Sequence, residues 1–419
     1  MTIDDSYSKY MYDFIEEICE KFGPRYSCSK AEKEANKWIK KELETFCDET
    51  NLDEFKTRPG LYPQGLIKVA GILSGISILF ISFKFPFSII SFILVLLGLI
   101  VLYTELFLMK GWIGFLFKKR TSSNVFGILK PTNTTKFRLI FEGHTDSAKE
   151  MNIASYNEKL RYLIAVLGIL FIVFTPIISI WKFIAQLLYG TAFSIFSWGV
   201  FSWTILDFIY YIPSTILFPF FLILVKGFLG NKVVLGANDN LSGSAVAIAL
   251  GKYLSKNRPK YTEIWICSQG SEEVGDRGAS YFVKKYGDQG YLDNAYNIVL
   301  ECCGAGEAIL LVEKDMHKKV YSKEINEKLK IAYENVKRQN PNIFDLKVDR
   351  LKIGACDAGS YIEEGYKATG IFGTEKNKNK AVNWHSTEDR PANISKKVLN
   401  YFLLICFEIV NIIDSEFES

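Results

Sequence analysis

Two of the three histidines in this chain open short motifs rich in carboxylates. His144 stands in Phe-Glu-Gly-His-Thr-Asp-Ser, and His385 in Trp-His-Ser-Thr-Glu-Asp-Arg-Pro. Between them lie Gly-Ala-Asn-Asp239-Asn-Leu-Ser-Gly and Ser-Glu272-Glu273-Val-Gly. Imidazole and carboxylate are the nitrogen and oxygen donors that zinc accepts. A doubled glutamate beside such a set offers one ligand and one free base, the equipment for hydrolysis by metal-activated water.

Each motif also has a plainer reading. His144 and Asp146 follow an apolar run that reads as a strand. At this spacing the Asp146 carboxylate can take the second ring N–H of His144 and fix its tautomer; alone, the pair would be a satisfied histidine at a turn. Asp239 precedes a helix expected from about Ser242, where Asn238, Asp239, Asn240 and Ser242 are all good caps; a carboxylate there would equally bridge two cations. Glu272 and Glu273 follow the strand-like Thr262–Cys267. In an extended or turn backbone their side chains point apart, so one can bind metal while the other faces water; in isolation they would be a solvated acidic turn. Glu301 directly follows the apolar run Asn297–Leu300, and His385 lies in a polar loop. His317, in Lys-Asp-Met-His-Lys-Lys, reads as a solvent-facing basic turn without a role.

The elements that must position these residues alternate. Residues 8–48 read as two helices, one amphipathic through Tyr10, Phe14, Ile15, Ile18 and Phe22 and closed by Gly23-Pro24, the other running from Ala31 to Leu43. Phe137–Phe141, Thr262–Cys267 and Asn297–Leu300 read as buried strands. Ser242–Leu254, Ala279–Lys285, Glu324–Lys337 and Ile394–Ile413 carry helical periodicity. This predicts an α/β fold, a mixed sheet with helices on both faces, with the polar motifs at strand ends along one edge.

Two apolar regions interrupt that pattern. Val69–Phe83 and Phe85–Thr104 carry no charge over 15 and 20 residues; Tyr162–Trp181, Phe183–Leu206 and Phe208–Val225 carry none over 20, 24 and 18. A span needs ~20 apolar residues, so these read as membrane segments. His144 precedes the second region and Asp239 follows it, so a shared site demands an even number of crossings in each insertion. The expected organisation is a discontinuous globular domain that carries the polar motifs (1–62, 118–155 and 232–419), a first insertion of two spans (63–117), and a second (156–231) of two spans plus a re-entrant or interfacial segment. Phe183–Leu206, with Gln186, Gly190, Ser194, Ser197 and the anchors Tyr189, Trp198 and Trp203, is the segment expected not to cross. Twelve lysines and arginines flank the spans on the domain side, against Lys84 and Lys182 on the far side. That bias predicts a multi-pass protein of the cell membrane with its globular part facing the cytoplasm.

Composition agrees. Hydrophobic residues make up 49% and mean hydropathy is +0.10, too apolar for a wholly soluble enzyme of 419 residues. The formal charge of +4 gives no reason to invoke nucleic acid. The eight cysteines include no Cys-x-x-Cys pair and read as buried thiols in a reducing compartment. The polar first 60 residues show no signal peptide.

In order, Gly-His-x-Asp-Ser, Gly-Ala-x-Asp-Asn-x-Ser-Gly, Glu-Glu-x-Gly and a late His-Ser-x-x-Asp resemble the co-catalytic zinc aminopeptidase family, which includes bacterial leucyl aminopeptidases, glutamate carboxypeptidase and glutaminyl cyclases. The run Gly23-Pro24-Arg25-Tyr-Ser27-Cys-Ser29 resembles the family's opening segment, and Asp357 lies in a run that resembles one near its substrate pocket. The resemblance implies two zinc ions, one held by His144, Asp239 and Glu301, the other by Asp239, Glu273 and His385, with Asp239 bridging. It implies Glu272 as general base, Asp146 as the orienter of His144, and a peptide substrate cut at its N terminus. Glu301 departs from the aspartate that the family usually has there. A degenerate domain serving as a membrane scaffold or transport component, and glutaminyl-cyclase-type acyl transfer, are the competing readings.

Overall fold

The computed structural model describes residues 5–151, 157–190, 194–228, 230–351 and 354–418. From the N terminus its elements are α1 (Asp5–Phe22), α2 (Lys30–Leu43), β1 (Glu49–Thr57), α3 (Gln64–Phe80) and α4 (Ser88–Leu102). Then come β2 (Arg120–Leu129), β3 (Phe137–His144), α5 (Glu158–Tyr189), β4 (Ser194–Trp198), β5 (Phe201–Thr204) and α6 (Ile205–Phe228). The remainder comprises α7 (Ser242–Leu254), β6 (Thr262–Gln269), α8 (Arg277–Gly287), β7 (Ala295–Glu301) and β8 (Ala308–Lys314), then α9 (Lys323–Gln339), β9 (Leu346–Arg350), α10 (Ala358–Glu363), β10 (Ala368–Thr374) and α11 (Lys396–Ser415). The chain divides into two compact units, Met1–Pro59 with Lys119–Glu150 and Lys232–Ser419, and Gly60–Lys118 with Met151–Asn231.

The first unit is built on an eight-stranded mixed sheet in the order β1-β2-β6-β3-β7-β10-β8-β9. The four central strands β6, β3, β7 and β10 are parallel. Their sequences are near-continuous apolar runs because helices cover both faces. One face packs on α1, α7, α9 and α11 through Ile15, Ile18, Ile248, Leu250, Leu329 and Phe402. The other packs on α8 and α10 through Trp265, Phe282, Val283 and Tyr361. Helix α7 is buried from Ser242 to Gly251, which explains its small residues. A Cβ on Gly143 would stand 2.3 Å from the Ser244 nitrogen, and one on Gly243 would stand 2.0 Å from the Leu300 oxygen. These two glycines let the start of α7 lie directly against the ends of β3 and β7.

The second unit is a bundle of α3, α4, α5 and α6 with the hairpin β4–β5. Its outward faces are apolar: Ile72, Leu79, Ile169, Ile177, Leu188 and Ile216 are all exposed. Inside, hydroxyls pair across helices, as between Ser91 and Ser179 at 3.0 Å. Apolar outside and polar-linked inside is how helices associate in lipid. Four helices among the described residues are long and apolar enough to cross a bilayer: Ser88–Leu106, Tyr162–Tyr189, Asp207–Gly227 and Lys396–Ser415. The last is 72% buried and belongs to the first unit's core. The apolar helix α3, at 17 residues, is shorter than these four stretches. The stretch Phe183–Leu206 is not one segment. It divides into the end of α5, the β4–β5 hairpin and the first turn of α6, with Gly199 in a left-handed turn (φ 54°). An uncharged run alone does not distinguish a helix from a hairpin of exposed Ile195, Phe196 and Trp198. Lys182, read above as a flanking charge, is buried and paired with Asp207.

Candidate metal centre

Three parallel strands end at one edge, and each delivers acidic or imidazole groups there. β3 ends at His144, β7 at Glu301, and β6 at Gln269, three residues before Glu272-Glu273. Asp239 enters from the loop before α7, and His385 from the loop after β10. Site residues at the carboxyl ends of parallel strands are the general pattern of open α/β sheets.

Asp239 lies between the two histidines. Its Oδ1 is 3.4 Å from His144 Nε2, and its Oδ2 is 3.4 Å from His385 Nε2. Glu273 Oε2 is 3.1 Å from His385 Nε2. Glu272 Oε2 and Glu301 Oε2 are 3.6 and 4.0 Å from His144 Nε2. Ligand atoms within 4.8 Å of one another group His144 with Asp239 and Glu273, His144 with Glu272 and Glu301, and Asp239 with Glu301 and Cys302. All five residues expected as ligands, together with Glu272, therefore face one another. The first two groupings differ from the expected partition, since Glu272 and Glu273 both reach the His144 side.

Asn240, not Asp239, serves the helix. Its Oδ1 accepts from Gly243 N at 3.0 Å and from Cys302 N at 3.2 Å, and its amide donates to Leu300 O at 2.7 Å. Asp239 is thereby free to face the histidines. Its own backbone is held by Asp389, whose carboxylate accepts from Asn238 N at 2.5 Å and Asp239 N at 3.1 Å. Asp389 is the Asp of the late His-Ser-x-x-Asp motif, so one loop supplies a histidine and a brace for the Asp239 loop.

The expected contact between Asp146 and His144 takes a different form. His144 Nδ1 is 3.0 Å from the Asp146 carbonyl oxygen, and the carboxylate is farther, at 3.5 Å. That carboxylate accepts instead from Ser27 Oγ and from the backbone N–H of Glu272 (3.0 Å) and Glu273 (3.2 Å). Asp146 thus fixes the imidazole through its main chain and the paired glutamates through its side chain. Buried Arg25 ties the same loops together, donating to Thr145 O at 2.9 Å and Gly236 O at 3.1 Å. Glu32 adds a second brace, accepting from Cys28 N (2.6 Å), Ser122 Oγ (2.7 Å) and Ser271 N (3.0 Å). A helix residue of the opening segment therefore holds the turn that presents Glu272.

His317 is not solvent-facing. It is half-buried with its Nδ1 enclosed, in the turn that leads from Asp315 to Lys319, because Lys314 and Val320 pair across that turn.

The electrostatics show what this arrangement lacks. Burial works against a charged His144, but Glu272, Asp146, Asp239 and Glu301 outweigh it and push the ring well above its usual range. Burial opposes a charged Asp239 too, yet His144 and His385 hold its carboxyl low. Burial, with Glu273, Asp276 and Glu301 as further negative neighbours, pushes Glu272 well up despite His144. Four carboxylates face two imidazoles. Asp239 Oδ2, Glu273 Oε1 and Glu301 Oε1 are buried with no hydrogen-bond partner. Buried oxygens without donors are costly unless a cation meets them. The donor set and its orphaned oxygens fit zinc. Beyond this set, Asp357 is fully buried with both oxygens unpartnered, and burial followed by the charge of Glu142 pushes it well up.

The model of Peptidase family M28 matches residues 224–410. The matched span holds Asp239, Glu272, Glu273, Glu301 and His385, and stops short of His144 and Asp146. A zinc aminopeptidase from Bacillus subtilis has the same fold, with TM-score 0.55, 15% identity, and coverage of 97% of this chain and 95% of that one. A Bacteroides thetaiotaomicron glutaminyl cyclase solved with N-acetylhistamine gives TM-score 0.53 at 14% identity over 98% of both chains. An aminopeptidase from Aneurinibacillus sp. strain AM-1 gives 0.53 at 14% identity, covering 97% and 95%. No curated protein matches the chain in sequence. These solved structures share the fold of this chain, and the Peptidase family M28 model matches the stretch that carries five of the site residues.

Proposed function

We propose that this chain is a membrane-anchored two-zinc aminopeptidase. The observation that carries the reading is Asp239, with one carboxylate oxygen turned to each histidine. His144, Asp239 and Glu301 would hold one zinc, and Asp239, Glu273 and His385 the other. Zinc bound there would act as a Lewis acid on a peptide carbonyl and make water a nucleophile near neutral pH.

The protein's own groups do the rest. Asp146 and Glu32 hold the Ser271–Glu273 turn, so the Glu272 carboxylate stays at a fixed place beside the ligands. A carboxyl pushed up by burial is matched to taking a proton from water and returning it to the leaving amine. Asp146 O keeps His144 Nδ1 protonated, so that Nε2 presents its lone pair.

The four bundle helices suit insertion in a bilayer. The lysine and arginine bias supports four crossings, with both termini and the peptidase unit in the cytoplasm. A Lys84→Cys variant should be labelled from outside the cell; labelling near Lys380 from outside would overturn the orientation. The activity is tested by metal analysis combined with a panel of aminoacyl and glutaminyl peptides. Release of N-terminal residues supports the reading, whereas cyclisation of glutaminyl peptides without hydrolysis would replace it.

A further inference from the structure

Cys302 follows the candidate ligand Glu301 and is 2% exposed. Its φ is 54°, a left-handed backbone that favours glycine. A non-glycine residue held there is a local strain that the surroundings must enforce, and Asn240 does so by accepting its N–H. The result is that Sγ lies within 4.8 Å of ligand oxygens of both Asp239 and Glu301. One ion bonded at ~2.3 Å to sulfur and ~2.0–2.2 Å to oxygen can gather these atoms with small side-chain rotations. The other two members of the group carry the orphaned oxygens Asp239 Oδ2 and Glu301 Oε1, each on a residue 4% exposed.

The geometry points to Cys302 as a thiolate ligand to the metal shared by Asp239 and Glu301. This rests on the two-metal reading above and adds to it a donor of a different kind. The Cys302 thiol loses its proton to solvent on binding, and the new bond is sulfur to metal. A sulfur donor biases the position toward zinc, cobalt or cadmium and away from magnesium and manganese, which prefer oxygen. It also makes the site vulnerable to thiol oxidants, because oxidised sulfur no longer binds as a thiolate.

Cobalt(II) reads this without reference to turnover. The full chain in detergent is stripped of metal and reloaded with cobalt. Visible d–d bands report binding by any ligand, whereas an intense near-ultraviolet band reports sulfur-to-cobalt charge transfer. The wild type should show both. Cys302→Ser and Cys302→Ala should keep the visible bands and lose the charge-transfer band, and Cys303→Ser should keep both. Visible bands without charge transfer in the wild type, or a charge-transfer band that survives in both Cys302 variants, would overturn the assignment. Absence of any cobalt spectrum would overturn the metal reading on which it rests.

Discussion

Each unit of this chain buries a cluster of charged side chains, and the two clusters are finished differently. In the helical bundle, Lys182 is paired with Asp207. Asp207 Oδ1 also meets Ser82 Oγ at 3.3 Å, and Oδ2 accepts from Thr204 N at 2.6 Å and Thr204 Oγ1 at 2.8 Å. The ammonium donates further to Ser202 O at 3.0 Å. Charge is balanced, and both carboxylate oxygens have donors. In the α/β unit, four carboxylates face two histidines and three buried oxygens have no donor. A buried ion pair with satisfied atoms is a structural clasp. An acidic cluster with orphaned oxygens is complete only with cations. The difference separates a fastening from a site within one sequence.

The largest expected effect lies inside the site. Glu272→Gln should lower turnover by ~10²–10⁴-fold while zinc content stays near wild type, because the amide keeps the size but cannot take a proton. Glu273→Gln removes a charge from the proposed ligand set and should lower zinc content as well. Equal metal loss in both variants would merge the two proposed roles, for residues whose nearest histidines differ, His385 for Glu273 and His144 for Glu272.

The clasp should respond in stability and not in turnover. Asp207→Asn leaves a buried ammonium without its counter-charge, which typically costs ~3–5 kcal/mol. Thermal unfolding in detergent should shift down while kcat of the folded fraction holds. A fall in kcat with unchanged stability would erase the distinction.

Three of the ten strands among the described residues are plain in the sequence, and the reason is position. β3, β6 and β7 are central and covered on both faces, so they read as apolar runs. β1 and β9 are the edges of the sheet, keep charges such as Asp53, Glu54, Lys347 and Asp349, and give no such signal. The proposed ligands are legible through the order of their motifs along the chain, although each motif alone has a plainer reading. Their support is not: whether Asp146 offers His144 a carboxylate or a carbonyl depends on a turn that residue types do not encode. Asp389, Glu32 and Cys302 act through contacts distant in sequence, and each passes alone for a solvated acid or a buried thiol. His317 passes for a surface residue because its lysine neighbours hide the enclosed ring.

A third, smaller effect concerns pH in the metal-stripped protein. Burial pushes Asp389 from its ordinary 3.8 to about 7 and Glu32 from 4.5 to about 8. A carboxyl raised in the folded state binds its proton there more tightly than in the unfolded chain. Its favourable contribution is therefore complete below the ordinary value and is lost as pH rises through the folded one. Stripped protein should lose stability between about pH 4 and 8, and zinc should flatten that slope. Denaturant midpoints across the range measure it; stability rising with pH in the stripped protein would contradict the sign. Smallest is His317→Ala, expected to leave turnover and zinc content near wild type, since His317 lies in none of the ligand groups among the described residues. Loss of metal there would place a ligand outside the cluster.

The bridging place of Asp239 is tested most directly by zinc stoichiometry on the purified full chain and on Asp239→Asn. Two zinc ions per wild-type chain, with both weakened together by the one substitution, are expected. One zinc in the wild type, or loss of a single ion while the other is held undisturbed, would contradict a carboxylate shared between His144 and His385.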